Sequence, residues 1–492
     1  MNFKELIKVD RKAKTPLYLQ IANEITEAIQ KGILSGGHKL PGTQRMANEL
    51  NVFKKTIEQS YAELEIQGWV ISKPYSGTYV SAKLPILRTA QNIVTSDKFP
   101  SKALFNFKYL DFKNTIDSYF TKMPSAKIVF DDGYPDISQM AAIELDKNYR
   151  ALLEKKKPSS IVNRMSPWGN NNLRNYLCDY VNQTRGLRAT KENLMIVKGN
   201  QFGMFLILSL LLDSSVGFAI AETNYKGIDD IAKYLNSTTY YIKEDREGMD
   251  MEDLEKTCIQ QKISVVYIMS HNHYPSTRKL SFERRDQLLN LARLYNFVII
   301  EDDHDFDYHF DNAPSLPIAS IDNSGRVIYI GGLNRCISSA LRISFIVGPT
   351  DFLQELVKLK TIIDKFTDPL LEEALSGLIK GKDFLRFLRK STNFYRIRRD
   401  YMCKLIKEKL SDYCTVDIPE AGLAIWLEFD RKVDVQLLTN KCLSMGLSLP
   451  HAEELYIQPA SSNGLRIGYS TLTTDEIFNG IIIMQKVLAD IC

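Results

Sequence analysis

Between Leu194 and Val347 short apolar runs alternate with stretches of helical spacing, and this alternation constrains the fold more than any other feature of the chain. The runs Leu194–Val197, Gly217–Ala221, Val265–Met269, Phe297–Glu301, Val327–Ile330 and Arg342–Val347 read as strands. Phe202–Leu212 and Phe282–Leu294 read as intervening helices. Such alternation implies a largely parallel, helix-covered sheet, with ligands expected at the loops leaving the carboxyl ends of the strands. A long helical stretch over 351–411 and a tail of fewer, mixed elements predict a smaller packed α+β domain behind it.

At 492 residues the chain has room for two or three domains, and 44% hydrophobic with 25% charged residues allows a sizeable core. No apolar run reaches the roughly 18 residues of a membrane span. The polar start MNFKELIKVDRKAK lacks the apolar region of a signal peptide, so a cytoplasmic protein is expected. Seven scattered cysteines without a C-x-x-C pair fit a reducing compartment. The net charge of +4 is unevenly placed, since residues 1–83 hold twelve Lys/Arg against eight Asp/Glu and the remainder is balanced. Positive charge confined to the first sixth of the chain suggests a polyanion partner for that segment.

In that segment Leu17, Ile21, Ile25, Ala28 and Ile29 recur at helical spacing between Pro16 and Lys31. Glycines and Pro41 interrupt the pattern, and a second helix follows Thr43, read as its N-cap. After a turn at Asn51-Val52 a third helix is expected over Thr56 to Gln67. WVISKPYSGTYVSA then reads as two short strands around Pro74-Tyr75-Ser76-Gly77. Helix, turn, helix and hairpin in this order define a winged helix-turn-helix.

The run from Lys39 to Val80 resembles the GntR family of winged-helix repressors along its whole length. The resemblance implies double-stranded DNA as partner. Thr43, Gln44, Arg45, Lys54, Lys55 and Thr56 would face the major groove and phosphates, and Gly77 of the wing the minor groove. The chain departs from the family at Gln44, where Arg is common, and at Phe53-Lys54, where Ser-Arg is common. Lysine is a point charge without the bidentate fork of arginine, so Lys54 suits a phosphate better than a guanine.

A second resemblance is carried by FDDGYPD (130–136), WGNNNLRNYL (168–177), VKGNQ (197–201), AETNYKG (221–227), SHNHYPST (270–277), EDDHD (301–305), YIGGLNRCISSALRISFIVGP (329–349) and GLRIGYS (464–470). These landmarks are similar to those of fold-type I aminotransferases, in the order found in MocR-type regulators, where that fold follows a GntR-type head. The expected organisation is multidomain. A winged helix-turn-helix (1–83) and a linker (84–126) with an aromatic cluster from Phe105 to Phe120 precede an α/β fold-type I PLP-transferase-like domain (127–365) and a smaller C-terminal α+β subdomain (366–492).

In the active fold a Ser-Lys pair stands where this chain has Asn334-Arg335, and that lysine forms a Schiff base with pyridoxal phosphate (PLP). A guanidinium stays protonated and delocalised, so Arg335 is not expected to do so. The resemblance places Asp302 against the pyridinium nitrogen, Tyr225 against the ring, Arg342 on the phosphate side, Gly199 and Asn200 in the phosphate turn, and Arg466 on a substrate carboxylate. Asn272, His304 and Lys198 replace the residues usual at their positions. The pocket is thus read as degenerate, with no covalently bound cofactor. Noncovalent PLP, a small carboxylate or amino-acid effector, or a ligand-free scaffold for a homodimer stay open. His271, His273, His304, His309 and the acids of EDDHD match no specific metal spacing, and no metal is expected.

The chain is therefore read as a non-enzymatic transcription regulator.

Overall fold

In the computed structural model the apolar stripe of the first amphipathic segment folds as Leu17–Gln30 (α1), with Ile21, Ala22, Ile25, Ala28 and Ile29 buried. The structure describes residues 3–11, 13, 15–82, 126–139, 141–154, 165–310, 315–337, 340–451, 453, 456–457 and 462–492. They fall into two units divided between Tyr109 and Leu110. The expected linker, with its aromatic cluster, lies outside the described residues except for Ala126.

In the first unit Thr43–Leu50 (α2) and Lys54–Ile66 (α3) follow α1. Two expected boundaries move. Thr43 is the first helical residue, and Gly42 stands at the N-cap without a side-chain bond. The third helix begins at Lys54 rather than Thr56, because Asn51 ends α2 in the left-handed region (φ 53°) and extended Phe53 restarts the chain at once. Lys54 and Lys55 therefore sit in the first turn of α3.

Val70–Lys73 (β1) and Gly77–Val80 (β2) pair antiparallel, Val70 opposite Val80 and Lys73 opposite Gly77. Gly77 has φ 114°, a conformation that favours glycine. Trp69, Val70 and Val80 join Ile25, Met46, Ile57 and Leu64 in one core, which fixes the wing to the helices.

The second unit is built on a seven-stranded sheet of Leu194–Val197 (β3), Gly217–Ala221 (β4), Thr238–Ile242 (β5), Ile263–Ile268 (β6), Val298–Asp303 (β7), Val327–Gly332 (β8) and Ser344–Val347 (β9). The spatial order is β3-β9-β8-β7-β6-β4-β5, and β9 runs antiparallel to both of its neighbours. The other neighbouring pairs are parallel. Alternate residues enter different cores: Phe218 and Ile220 pack on one face of the sheet, Ala219 and Ala221 on the other. Burial on both faces explains why these strands read as continuous apolar runs. The edge strand β5 (TTYYI) is exposed or half-buried except at Ile242 and has no such run, and it was not among the expected strands.

Cys414–Val416 (β10), Ala424–Phe429 (β11) and Gly464–Gly468 (β12) form a smaller antiparallel sheet. The helix Lys382–Lys409 packs against it, and Thr474–Ile491, opened by a reciprocal cap between Thr473 and Glu476, packs against that helix. Ile128–Val129 pairs with Leu447–Ser448, so the segment at 128 lies beside the C-terminal elements. Among the described residues no helix is long and apolar enough to cross a membrane.

Candidate functional site

The first unit presents Gln44, Arg45, Lys54, Lys55 and Gly77 exposed, with Thr43 and Thr56 half-buried. Arg45 pairs with Glu49 at 2.9 Å and Lys54 with Glu58 at 3.2 Å, each one turn along its own helix. At the wing Lys39 and Lys73 lie 5.6 and 5.1 Å from the centre of the Tyr79 ring. The first turns of α2 and α3 and the wing thus carry cations on the surface.

In the second unit the loops leaving the carboxyl ends of β3, β4, β6, β7 and β8 converge on a cavity of about 240 Å³. Asn200, Tyr225, Asp302, His304, Asn334 and Arg335 line it, together with Asp132, Tyr134, Gln201 and Tyr274, which sequence reasoning had not singled out. Asn200 is the first residue of the helix Asn200–Leu211, behind Gly199 at φ 84°. Its amide donates to Asp302 Oδ1 at 2.9 Å, and the Tyr267 hydroxyl donates to Asp302 Oδ2 at 3.0 Å. Burial raises Asp302 above the usual carboxylate range, against the pull of His304 and these two donors. Tyr225 donates to Gln201 at 2.7 Å and meets Tyr274 edge-on at 5.5 Å.

Arg335 is tied down by the protein itself. Its Nε lies 3.4 Å from Asp305 Oδ1, one terminal nitrogen donates to the Gly133 carbonyl, and its guanidinium lies 5.9 Å from the centre of the Tyr134 ring. Burial alone would lower Arg335, but Asp305, Asp132 and Asp131 hold it above its ordinary range. Asp305 is the hub of this cluster. It accepts from Asn272 at 2.9 Å and faces His304 at 3.4 Å and Arg466 at 3.9 Å. Burial opposes its ionisation, yet Arg335, His304 and Arg466 drive it well below the usual carboxylate range. His304 shows the mirror image: burial disfavours its charge, and Asp305 outweighs burial and raises it.

Four expected pocket residues lie off the cavity wall. Gly199 backs onto Arg342, which is exposed and has φ 50°. Asn272 is committed to Asp305. Arg466 is fully buried, donates to the Pro275 and Asp132 carbonyls at 3.1 and 3.3 Å, and pairs with Asp132 Oδ1 at 3.2 Å. Asn334 lines the cavity but accepts from the Ile343 N–H at 2.8 Å, closing its own loop. Lys198 pairs with Asp364 at 2.9 Å. No lysine is among the described residues that line the cavity. The described residues hold no group of three or more His, Cys, Asp or Glu arranged around a metal position. Adjacent acids in FDDGYPD and EDDHD, beside an arginine at an unusual place, were the one signal that charge compensation would dominate here.

The fold recurs in known proteins. An archaeal alanine:glyoxylate aminotransferase superposes with a TM-score of 0.69 at 23% identity, covering 74% of this chain and 91% of that one. The second unit is accordingly a fold-type I aminotransferase-like domain. Residues 17–80 match the family described as bacterial regulatory proteins, gntR family. Over nearly the whole length the chain is similar to the probable rhizopine catabolism regulatory protein MocR of Rhizobium meliloti, 24% identical across 97% of this chain and 94% of that protein. It is likewise similar to the uncharacterized HTH-type transcriptional regulator YdfD of Bacillus subtilis (strain 168), 24% identical across 98% and 97%. The chain is a helix-turn-helix transcription regulator of the GntR/MocR type with an aminotransferase-like domain.

Proposed function

We propose that this regulator binds double-stranded DNA through Thr43, Gln44, Arg45, Lys54, Lys55, Thr56 and Gly77, and that its aminotransferase-like domain holds no covalent PLP and catalyses no transamination. The observation that carries the second half is the environment of Arg335. Covalent attachment of PLP needs an amine that can shed its proton. The guanidinium at this position is permanently charged, and its charge is matched by Asp305 and Asp132. Arg335 therefore does not fit a covalently held cofactor, and the domain acts as a scaffold that pairs two chains on two half-sites.

The cavity of about 240 Å³ favours a second, compatible role as a receptor for a small carboxylate or amino acid, or for noncovalent PLP. Arg466, bonded to backbone carbonyls and Asp132, is not the group that would grip it.

Two measurements test the reading. The purified chain is expected to bind its own upstream DNA in a salt-sensitive manner, more weakly as the Lys54→Ala variant, and to run as a dimer in sedimentation. Mixed with PLP and reduced with borohydride it is expected to carry no adduct on the peptides that line the cavity, while exposed lysines are labelled as in any lysine-bearing protein. A reducible adduct on a residue that lines the cavity, or turnover of any amino acid, would overturn the non-enzymatic half. Salt-insensitive binding that is unchanged in Lys54→Ala would overturn the DNA half. Calorimetric titration with free amino acids and with PLP separates a receptor from a ligand-free scaffold.

A further inference from the structure

We propose that Phe53 is a base-reading residue of the DNA-binding unit, its ring seated on the methyl group of a thymine in the major groove. This rests on the DNA-binding reading above and adds the base chemistry that the helix selects.

Phe53 breaks two local rules at once. It occupies the N-cap of α3 with φ −69° and ψ 143° and supplies no side-chain cap. Ser, Thr, Asn or Asp at that position would satisfy a first-turn N–H and stabilise the helix. Nor does the ring enter the core. It is 86% exposed, while Ile57, one turn on, is fully buried. Folding alone gains nothing from an aromatic here, and positions where local preferences fail are candidates for function.

The surroundings identify the partner. Lys54 and Lys55 follow directly, Gln44 and Arg45 open α2, and all four are exposed. The nearby carboxylates, Glu49 and Glu58, are engaged with Arg45 and Lys54. A cationic surface around one exposed ring complements a polyanion that offers an apolar group. The N-terminal residues of the second helix of a helix-turn-helix reach base edges. On the major-groove edge the apolar group is the thymine C5-methyl, which phenylalanine can contact. With lysine rather than arginine in the first turn, guanine is read weakly, and the ring becomes the discriminating group. Tyr75 at the wing tip is also fully exposed, but it lies on the hairpin and not on the helix, and it serves as a control.

The test uses the full-length chain. Duplexes selected from a random pool give the preferred site, and each thymine is then replaced by deoxyuridine, which removes the methyl group alone. For the wild type and for Tyr75→Ser, one thymine in each half-site is expected to lose about fourfold in affinity, the worth of one buried methyl-sized group. Phe53→Ser is expected to lose that dependence while melting at a higher temperature, because serine restores the cap. Phe53→Leu is expected to retain part of it. Salt-sensitive binding with no methyl-dependent position, or the same dependence in Phe53→Ser, would overturn the proposal and leave the DNA-binding reading intact. A changed oligomeric state in Phe53→Ser with unchanged methyl dependence would place the ring on protein and overturn it too. Absence of any salt-sensitive binding would remove both.

Discussion

The two units of this regulator carry their cations in opposite ways. In the DNA-binding unit Arg45 and Lys54 lie on the surface and pair with a carboxylate one turn along their own helices. In the aminotransferase-like unit Arg335 and Arg466 are turned inward against Asp305 and Asp132. An exposed pair four residues apart is worth a few tenths of a kcal/mol and yields readily to a phosphate. A buried pair cannot be opened without stranding a charge in the interior, at about 3–5 kcal/mol. The first arrangement is available to a partner. The second has consumed its charge in holding the loops around the cavity together.

The largest test of this contrast is Asp305→Ala. Removing the hub strands Arg335, His304 and Arg466 without their shared carboxylate, and the second unit is expected to lose about 3–5 kcal/mol in denaturant unfolding. The unfolding of the DNA-binding unit should not move. A loss near zero would mean that Asp131 and Asp132 suffice for Arg335, and the hub description would fail.

Next in size is a dependence on pH. Asp303 is fully buried, accepts from the Tyr329 hydroxyl at 2.8 Å, and is raised from its ordinary range to about 7, chiefly by burial and partly relieved by Arg185. The folded chain therefore holds a proton that the unfolded chain has released. Stability from this group is present below about pH 4 and is lost as pH rises through about 7. His271, which burial lowers to about 3, acts in the opposite sense: stability is lost as pH falls below its ordinary 6.5. Asp303→Asn isolates the first effect. Relative to wild type, the variant should gain stability with rising pH, by at most about 1.4 kcal/mol per unit between about pH 4 and 7. A difference that does not change with pH would show that Asp303 is ionised in the folded chain.

What could be read beforehand follows from the same contrast. Leu194–Val197 and Gly217–Ala221 were legible to the residue because both faces are buried and the run itself is the signal. The strand Thr238–Ile242 was not, since an edge exposed on one side mixes threonine and tyrosine with a single buried isoleucine. The surface cations of the head were legible because each acts from its own helix. The engagement of Arg335 and Arg466 was not. It depends on Asp132, Gly133, Pro275 and Asp305, brought together from loops far apart in the chain. A motif shows that an arginine stands at 335, but the partners of that arginine are a property of the fold.

Smaller effects are expected on the exposed side. Lys54→Ala and Lys55→Ala should each weaken DNA binding severalfold, across sequences alike. Each variant leaves one phosphate without its cation, which should reduce the slope of log affinity against log salt by about 0.9. A weakening confined to particular sequences would mean that the lysine reads a base. Smallest is the effect of Arg45→Ala on folding. Its partner Glu49 lies on the same helix at 2.9 Å, with the arginine side chain 75% exposed, so the thermal stability of the first unit should change by less than about 0.5 kcal/mol. Affinity for DNA should fall by more than that. If stability fell by more than affinity, Arg45 would be holding α2 in place rather than waiting for a phosphate, and the division between an available and a consumed charge would not hold at that residue.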